Sequence, residues 1–269
     1  MTTDPADARV ALDLAVRAAV RAGHLLLARF EGPARGLAAK SSSTDLVSDA
    51  DREAEDAVLG MIREERPDDA ILSEESGQAE SGASGLTWVV DPLDGTTNYL
   101  WGYPQWAVSI ACKDADGGLM GVVHDPIRGE TFTAVRGGPA LLGQRELRLE
   151  GGRDLDQALI GTGFGYDAER RRLQATRLAA VIPHVRDIRR GGSAALDMAW
   201  VACGRLDAYY EFGVNEWDVA AGAVVVIAAG GDVQDVPVGP EGAPGILVAR
   251  PGLASPLRAV VDAAAPSPA

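Results

Sequence analysis

The sequence predicts an α+β protein in which helices pack on mixed sheets. Two segments near the N-terminus, Ala6–Phe30 and Asp49–Arg66, carry apolar residues at helical spacing. Three strand-like runs joined by Gly-rich turns follow them, which is typical of an antiparallel meander. Strand-like and helix-like segments then continue towards the C-terminus. With 269 residues, 46% of them hydrophobic, the chain can bury the core that such a fold needs.

The two predicted N-terminal helices have clear ends. The first presents an apolar face from Val10 to Leu25, and the Gly32–Pro33 pair ends it. Pro67 ends the second helix. The polar loop between them contains Lys40, and only one other lysine occurs among the 25 basic residues. A loop of this kind can move over a binding site.

Short apolar runs after the second helix predict the strands of a first sheet. Ala70–Ser73 forms one strand, and Trp88–Val90 forms another that leads into Asp91. Pro92 should end this second strand, because proline has no N–H to donate to a neighbouring strand. The meander is expected to consist of Trp106–Lys113, Leu119–Asp125 and Glu130–Val135.

The second half of the chain is predicted to contain both helices and strands. The helices are Ala168–Ile182, one starting at Gly192–Ala195, one beginning near Asp218 and burying Val224–Ile227, and one ending at Val261. The strands are Val185–Ile188, Leu206–Phe212, Asp232–Val236 and Gly245–Arg250. We expect a single domain over residues 1–269 with two lobes, at about 1–150 and 151–269.

Charge and cysteine content restrict the function. The net charge of −14 argues against nucleic acid as a partner, because such a surface repels a polyanion. No apolar segment is long enough to cross a membrane, and the N-terminus has no basic and apolar signal pattern. Cys112 and Cys203 lie far apart in apolar contexts, which favours reduced thiols in a cytoplasmic protein.

The stretch Trp88–Asn98, WVVDPLDGTTN, has the most evident chemistry. Asp91 follows the apolar run, and Asp94 lies three residues later in a turn that could also start a helix. Carboxylate and carbonyl oxygens suit hard cations, whereas free N–H groups at a helix start suit phosphate. The alternative is an ordinary strand-to-helix turn with Asp94 as its N-cap.

DPLDGTTN resembles the signature of the inositol monophosphatase family, magnesium-dependent phosphatases of small phosphorylated alcohols. Further segments resemble motifs of this family in the family's order, namely KSSSTDLVSDAD, SEES, GSAALDM and WDVAAG. The resemblance covers nearly the whole chain. It implies the layered αβαβα fold of the sugar phosphatases and a requirement for two or three Mg²⁺ ions.

The resemblance also implies which residues bind these ions. The implied metal ligands are Glu74, Asp91, the carbonyl of Leu93, Asp94 and Asp218, with Asp91 shared between two ions. By itself, Glu74 would be an ordinary solvated loop residue and Asp218 an N-cap. However, Glu74 and Asp91 each follow a strand, and neighbouring parallel strands would bring these ends together. A third ion would lie near Asp51.

Catalytic and substrate-binding roles follow from the same resemblance. The implied catalytic residues are Glu74, Thr96 and Asp51, which would orient and deprotonate the attacking water. The implied substrate contacts are Asp94, Gly95, Thr96, Gly192, Ser193, Ala194, Glu211 and Asp218, with Lys40 as a candidate loop contact. A purely structural role is the alternative for Asp51, because acidic residues in a first helical turn stabilise a helix by about 0.3–1 kcal/mol without any function. The small residues of Gly192–Ala195 would also suit a closely packed helix start.

The segment Gly161–Gly165, GTGFG, resembles a dinucleotide-binding motif only in part. The third glycine of G-x-G-x-x-G would fall on Tyr166, so the match fails. In the inositol monophosphatase family a similar GTGF segment is often followed by proline. Gly165 departs from that pattern, and the segment is predicted to have no catalytic role.

The implied activity is Mg²⁺-dependent hydrolysis of a phosphate monoester, with myo-inositol monophosphate as the substrate and no enzyme nucleophile. Related phosphatases of histidinol phosphate, fructose bisphosphate or adenosine 3′,5′-bisphosphate are the alternative, and Thr97 and Asn98 favour the inositol type over those for histidinol phosphate and adenosine bisphosphate. A non-catalytic regulator is a more distant alternative and would be expected to have lost a carboxylate. The predicted partner is a small phosphorylated polyol. We expect a homodimer, because the family is commonly homodimeric and the meander has more apolar residues than one core needs.

Overall fold

The computed structural model describes residues 5–30, 38–39, 46–77, 80–236 and 243–263. The helices in these ranges are α1 (Pro5–Arg29), α2 (Asp49–Glu65), α3 (Thr96–Leu100), α4 (Ala168–Val181), α5 (Ala194–Ala202), α6 (Glu216–Ala228) and α7 (Ala254–Ala263). The strands are β1 (Ala38–Ala39), β2 (Leu46–Val47), β3 (Ala70–Ser73), β4 (Thr87–Asp94), β5 (Ala107–Asp114), β6 (Gly117–Asp125), β7 (Glu130–Val135), β8 (Ala140–Leu142), β9 (Arg145–Leu147), β10 (Leu159–Thr162), β11 (Asp187–Arg189), β12 (Ala208–Phe212), β13 (Asp232–Val236) and β14 (Gly245–Ala249). No described helix combines the length and the apolar character that a membrane crossing requires.

The first large sheet contains seven strands in the order β3-β4-β5-β6-β7-β8-β9. Strands β3 and β4 are parallel, and every later pair is antiparallel. The predicted meander is therefore confirmed, and β8 and β9 extend it beyond the expected strands. The parallel β3–β4 pair brings the residues that follow β3 beside the end of β4, as expected.

The second large sheet contains five strands in the order β11-β10-β12-β14-β13. Strand β10 is parallel to both β11 and β12, whereas β14 is antiparallel to β12 and β13. The loops that follow β10, β11 and β12 consequently leave the sheet at one edge. These loops form one side of a cavity between the two sheets.

Helices and sheets alternate in five layers. One core lies between α1, α2 and a face of the first sheet, with Leu14, Ile62 and Val108 among its buried residues. A second core joins the other face of that sheet to α5, α6 and the second sheet. A third lies between the second sheet and α7, around Leu247 and Leu257. The layered α+β fold is the one that the sequence predicted.

Pro92 does not end its strand, contrary to the prediction. Strand β4 continues to Asp94, and its pairing with β5 shifts between Asp91, opposite Ser109, and Asp94, opposite Ala107. Two residues of β4 thus lie opposite one residue of β5, which is a β-bulge. The bulge accommodates proline because a bulged residue need not donate to the ladder.

Other sequence predictions were wrong in detail. Ile227 is 60% exposed, because four consecutive residues of a helix cannot all face one core. A 3₁₀ turn at Ile182–His184 delays the next strand until Asp187, and β12 begins at Ala208 instead of Leu206. Helix α6 begins at Glu216 with Asn215 as its N-cap, so Asp218 lies inside the first turn.

Helix α6 packs closely on the first sheet because two strand residues lack side chains. A Cβ on Gly121 of β6 would lie 2.5 Å from the carbonyl oxygen of Ala221, and one on Gly118 would lie 2.6 Å from Cγ2 of Val224. On its other side, α6 approaches α5, where Gly222 lies against Met198. The position of Asp218 near the start of α6 therefore depends on these close contacts.

Gly121→Ala should destabilise the protein by about 1–3 kcal/mol, because the new methyl group overpacks the contact between β6 and α6. Gly60→Ala is a matched control on α2, where an added Cβ meets no atom within 4 Å. This control should stabilise the protein by roughly 0.5–1 kcal/mol, because alanine favours a helix. Urea unfolding of both variants measures the difference, and equal free energies of unfolding would contradict the packing argument.

Candidate active site

A cavity of about 490 Å³ lies where the edges of the two sheets meet. Ten of the residues implied by the resemblance line it, namely Glu74, Asp91, Leu93, Asp94, Gly95, Thr96, Gly192, Ala194, Glu211 and Asp218. Two others, Asp51 and Ser193, are buried directly behind this wall. Lys40 lies outside the described residues. The cavity therefore brings together side chains from segments far apart in the sequence.

One edge of the cavity is acidic. The backbone N–H of Glu74, just after β3, donates to the carbonyl oxygen of Val90 on β4 at 3.2 Å, which places Glu74 beside Asp91. Asp94 follows in the same strand after the bulge, and the first turn of α6 contributes Asp218. Four carboxylates thus share one wall.

Burial and mutual repulsion make this acidic edge electrostatically costly. Burial, followed by the negative charge of Glu74, raises the pKa of Asp91 well above its usual value. Burial and the charge of Asp94 act in the same way on the pKa of Asp218. Burial raises the pKa of Asp94 to about 7, although hydrogen bonds from Ser193 and Ala195 oppose the shift.

Asp94 connects the two sheets. Its Oδ2 accepts hydrogen bonds from Ser193 Oγ at 2.5 Å and from the backbone N–H of Ala195 at 2.7 Å, both at the start of α5. Ser193 is also the N-cap of α5 and accepts from the N–H of Leu196 at 3.3 Å. The structure thus places the Ser193 hydroxyl on Asp94, so its implied contact with substrate stays a prediction.

The turn after Asp94 requires glycine. Gly95 is the N-cap of α3 and has φ of 99°, a left-handed conformation that few other residues adopt. A Cβ at this position would also lie 3.0 Å from the carbonyl oxygen of Gln105 and 3.2 Å from that of Gly192. The alternative of Asp94 as an ordinary N-cap is therefore wrong, and its carboxylate serves the contact with α5.

Thr96 and Asp51 form a hydrogen-bonded pair. Thr96 Oγ1 lies 3.1 Å from Asp51 Oδ1 and 3.1 Å from the carbonyl oxygen of Leu93. The other oxygen of Asp51 accepts from both N–H and Oγ of Ser48, in a capping box that begins α2. Asp51 is 0% exposed, so only Thr96 of the pair reaches the cavity.

Glu211 lies in the cavity at the end of β12. The hydroxyl of Tyr209 donates to its Oε2 at 2.5 Å, and Gly163 leaves the room that the carboxylate occupies. Burial raises the pKa of Glu211, whereas the hydrogen bond from Tyr209 and the charge of Arg190 lower it. Tyr209 therefore orients the carboxylate of Glu211, which does not belong to the acidic edge.

Sequence reasoning missed part of the cavity wall. The additional lining residues are Phe164, Gly165, Tyr166, Asp167, Arg170, Arg190, Gly213, Val214, Asn215 and Trp217. Most of them directly follow β10 or β12 or begin the helices after these strands. Their position next to GTGF and WDVAAG was the available signal, but no pattern distinguished the lining side chains from their neighbours.

The donor set fits a hard divalent cation. It consists of carboxylates and one backbone carbonyl without histidine or cysteine, which suits Mg²⁺ better than Zn²⁺. A cation would also relieve the repulsion among the buried carboxylates. Within the described ranges, no three His, Cys, Asp or Glu side chains already form a closed metal-binding group. Binding would therefore require these side chains to turn towards the ion.

The layered α+β fold and the carboxylate-lined cavity agree with membership of a phosphatase family. The chain belongs to the inositol monophosphatase family, because the sequence model of that family matches residues 7–264. The Nus factor SuhB of Pasteurella multocida is 43% identical over 225 residues, which cover 83% of this chain and 84% of that protein.

Solved structures agree with this assignment. The extragenic suppressor protein suhB from Bartonella henselae matches with a TM-score of 0.86 and 35% identity, covering 94% of this chain and 98% of that chain. The inositol monophosphatase from Anabaena sp. PCC 7120 matches with a TM-score of 0.82 and 32% identity, covering 96% and 97%. The recognition of the family and of its fold from the sequence is confirmed.

Asp218→Asn should stabilise the protein in EDTA by about 1–2 kcal/mol, because it removes one charge from a buried group of repelling carboxylates. For a chain of this size the gain corresponds to a rise in Tm of roughly 2–6 °C. The same variant should gain less Tm than wild type when Mg²⁺ is added, because ligands stabilise a protein only through sites that bind them. Scanning calorimetry measures both effects.

Asp156→Asn is the control for this experiment. It also removes one negative charge, but Asp156 is exposed and lies outside the cavity. Its Tm in EDTA should stay within about 1 °C of wild type, since exposed charges contribute little. An Asp218→Asn variant that is less stable than wild type in EDTA would show that the carboxylate is not under repulsion.

Proposed function

We propose that this protein hydrolyses phosphate monoesters of polyols, with myo-inositol monophosphate as its substrate and Mg²⁺ as its cofactor. The observation that carries the proposal is the meeting of four carboxylates with Thr96 at one edge of a single cavity. Family membership supports a phosphatase, and the family generally depends on Mg²⁺. The name of the Anabaena structure supports an inositol phosphate as the substrate.

Two ions suffice for the proposed site. Glu74, Asp91 and the carbonyl of Leu93 would hold one, and Asp91, Asp94 and Asp218 would hold the other. When bound at these residues, Mg²⁺ would neutralise the phosphate and the carboxylates and would stabilise the charge on the attacking and leaving oxygens. Asp51 is buried and already hydrogen-bonded to Ser48 and Thr96. These contacts argue against a third Mg²⁺ ion bound at Asp51.

The chain's own residues would position the water. The Thr96 oxygen can accept a hydrogen bond from a water molecule in the cavity while its hydroxyl still donates to Asp51, so the water's proton can pass through Thr96 to Asp51. Glu74 lies on the same wall and can accept a proton as well. The oxygen of this water bonds to phosphorus as the ester P–O bond breaks, and the released alcohol takes up a proton.

The polyol would lie towards the second sheet. Glu211 can accept a hydrogen bond from a substrate hydroxyl, since it lines the cavity and Tyr209 already orients it. Gly192 and Ala194 bring the start of α5 against the same space. Water is the nucleophile, because burial raises the pKa of Cys112 to about 12 and neither Cys112 nor Cys203 lines the cavity.

A non-catalytic role is the second candidate, because the Pasteurella relative bears the name of a Nus factor. A protein whose only function is non-catalytic does not need the carboxylates of a metal site. Every carboxylate that the resemblance implies is present here, and those at the acidic edge reach one cavity. We therefore favour the phosphatase, and an assay of phosphate release decides between the two.

Homodimerisation, a cytoplasmic location and a single two-lobed domain also stay proposals. The apolar meander no longer supports a dimer, because α1 covers one of its faces and α6 the other. The loop after α3 is a better candidate surface, since Trp101 is 71% and Tyr103 54% exposed. Aromatic residues of this kind are enriched in protein interfaces.

Phosphate release from myo-inositol 1-phosphate should require Mg²⁺. EDTA should abolish the release, and excess Mg²⁺ should restore it, because the carboxylates alone repel the substrate. A colorimetric phosphate assay checks this result. Undiminished activity in metal-free buffer would reject the two-ion site, and no activity with any divalent cation would favour the non-catalytic role.

Glu211→Gln should lower kcat/KM for inositol phosphate by roughly 5- to 150-fold, since a lost charge-assisted hydrogen bond costs about 1–3 kcal/mol. The loss on p-nitrophenyl phosphate should be much smaller, because that ester has no hydroxyl for Glu211. Asp218→Asn should impair both substrates alike. Equal losses on both substrates for Glu211→Gln would mean that Glu211 maintains the structure of the site instead of binding substrate.

A further inference from the structure

The loops of the second sheet place two arginines in the cavity wall. Arg170 lies on the first turn of α4, and Arg190 lies between β11 and α5. Neither belongs to the residues that the proposed hydrolysis uses. Both face the same space as Glu211, on the side where the polyol would lie.

Arg170 occupies room that two glycines provide. A Cβ on Gly165 would lie 2.8 Å from its Cδ, and a Cβ on Gly213 would lie 2.9 Å from its NH1 nitrogen. The sequence left Gly165 without a role, at a position where the family often has proline. The structure shows that glycine at this position leaves space for the arginine side chain.

The surrounding loop is fixed from the same helix. Gln174, one turn after Arg170, accepts a hydrogen bond from the N–H of Gly165 at 2.9 Å and donates one to the carbonyl oxygen of Phe212 at 3.0 Å. Gln174 is buried. The guanidinium of Arg170 therefore projects from a preorganised wall, which lowers the cost of binding a ligand.

Within the described part of the chain, no hydrogen bond or ion pair joins the guanidinium of either cavity arginine to another residue. The arginines next to them in the sequence, in contrast, form ion pairs. Arg172 pairs with Glu169 at 2.6 Å, and Arg189 pairs with Asp187 at 2.7 Å. In a chain with a net charge of −14, two such cations in one cavity indicate an anionic ligand.

The two arginines are not equivalent. Burial raises the pKa of Asp197 and of Glu211, and the nearby positive charge of Arg190 opposes both rises. Part of its charge is therefore compensated within the protein. Asp167 lines the same cavity, and its Oδ1 accepts a hydrogen bond from the backbone N–H of Arg170 at 2.9 Å, but no described carboxylate pairs with the Arg170 guanidinium itself.

We propose that Arg170, assisted by Arg190, forms a second anion-binding subsite in the cavity. If the proposed function holds, the scissile phosphate lies at the acidic edge and the subsite takes a second anionic group on the same polyol. This group is a phosphate or a carboxylate, either of which a guanidinium binds through paired hydrogen bonds. Beyond inositol monophosphate, the site should consequently also accept polyol phosphates with an additional negative group and bind them more tightly than the matching polyol monophosphate.

The test uses three ligands with the same six-carbon chain: glucitol 6-phosphate, glucitol 1,6-bisphosphate and 6-phosphogluconate. Phosphonate analogues with CH₂ in place of every phosphate ester oxygen, at C6 in all three ligands and also at C1 in the bisphosphate, prevent hydrolysis during titration calorimetry with Mg²⁺ at constant ionic strength. At least one ligand with a second anion should bind roughly 10- to 100-fold more tightly than the glucitol 6-phosphate analogue. Whether phosphate or carboxylate gives the gain identifies the group that the subsite takes.

Arg170→Gln should reduce this preference to roughly threefold or less, since it removes a charged hydrogen-bond donor worth about a tenfold factor or more. Arg172→Gln is the matched control on the same helix, and it should keep the wild-type preference because Arg172 lies outside the cavity. Equal binding of all three ligands to wild type would overturn the subsite. A preference that survives Arg170→Gln would overturn it as well.

A parallel assay of phosphate release from the parent esters separates the two proposals. Release without any binding preference rejects the subsite and leaves the proposed function standing. A binding preference that depends on Arg170, without release from any ester, supports the subsite and rejects the proposed hydrolysis.

Discussion

The architecture depends on keeping several carboxylates buried at one edge of a cavity. Such burial is unfavourable unless each charge has partners, and the structure supplies backbone and hydroxyl donors for this purpose. Asp94 accepts from the start of α5, Asp218 accepts from the N–H of Asn215 at 2.6 Å, and Asp91 accepts from the N–H of Leu93 at 2.9 Å. These donors belong to helix starts and to a β-bulge. The charge that the site can hold therefore depends on the local backbone geometry. The remaining repulsion is the physical reason that a cation would stabilise this edge.

Helix α6 connects this constraint to the rest of the fold. It lies between the two sheets, and glycines on β6 let it approach the first sheet closely. Its first turn contributes Asp218 to the acidic edge. Asp94 makes the reciprocal connection, because it extends from the first sheet to α5, which packs on the second. The cavity is therefore held by contacts from both sheets, and a shift of either sheet would separate the carboxylates.

The cavity has two electrostatically different sides. The first sheet and α6 contribute carboxylates, whereas the loops of the second sheet contribute Arg170 and Arg190 together with Glu211. Under the proposed function, cations bound at the acidic side and the arginines at the other side would offset the negative charge of the chain towards an anionic substrate. Family membership supports the proposed phosphatase chemistry at the acidic side. The composition of the other side is more particular to this chain, since Gly165 is what makes room for Arg170.

The sequence by itself determined the family, the order of most helices and strands, and the residue types at the acidic edge. It could do so because short motifs place carboxylates at strand ends and helix starts, which are features of local geometry. Only the tertiary structure decided that Pro92 lies in a bulge, that Ser193 binds Asp94, and that the carboxylate of Asp51 lies behind Thr96. These outcomes depend on contacts between residues up to 99 positions apart, as for Ser193 and Asp94. The position of Arg170 was equally hidden, because the space for its side chain depends on Gly213 in a distant loop as well as on the nearby Gly165.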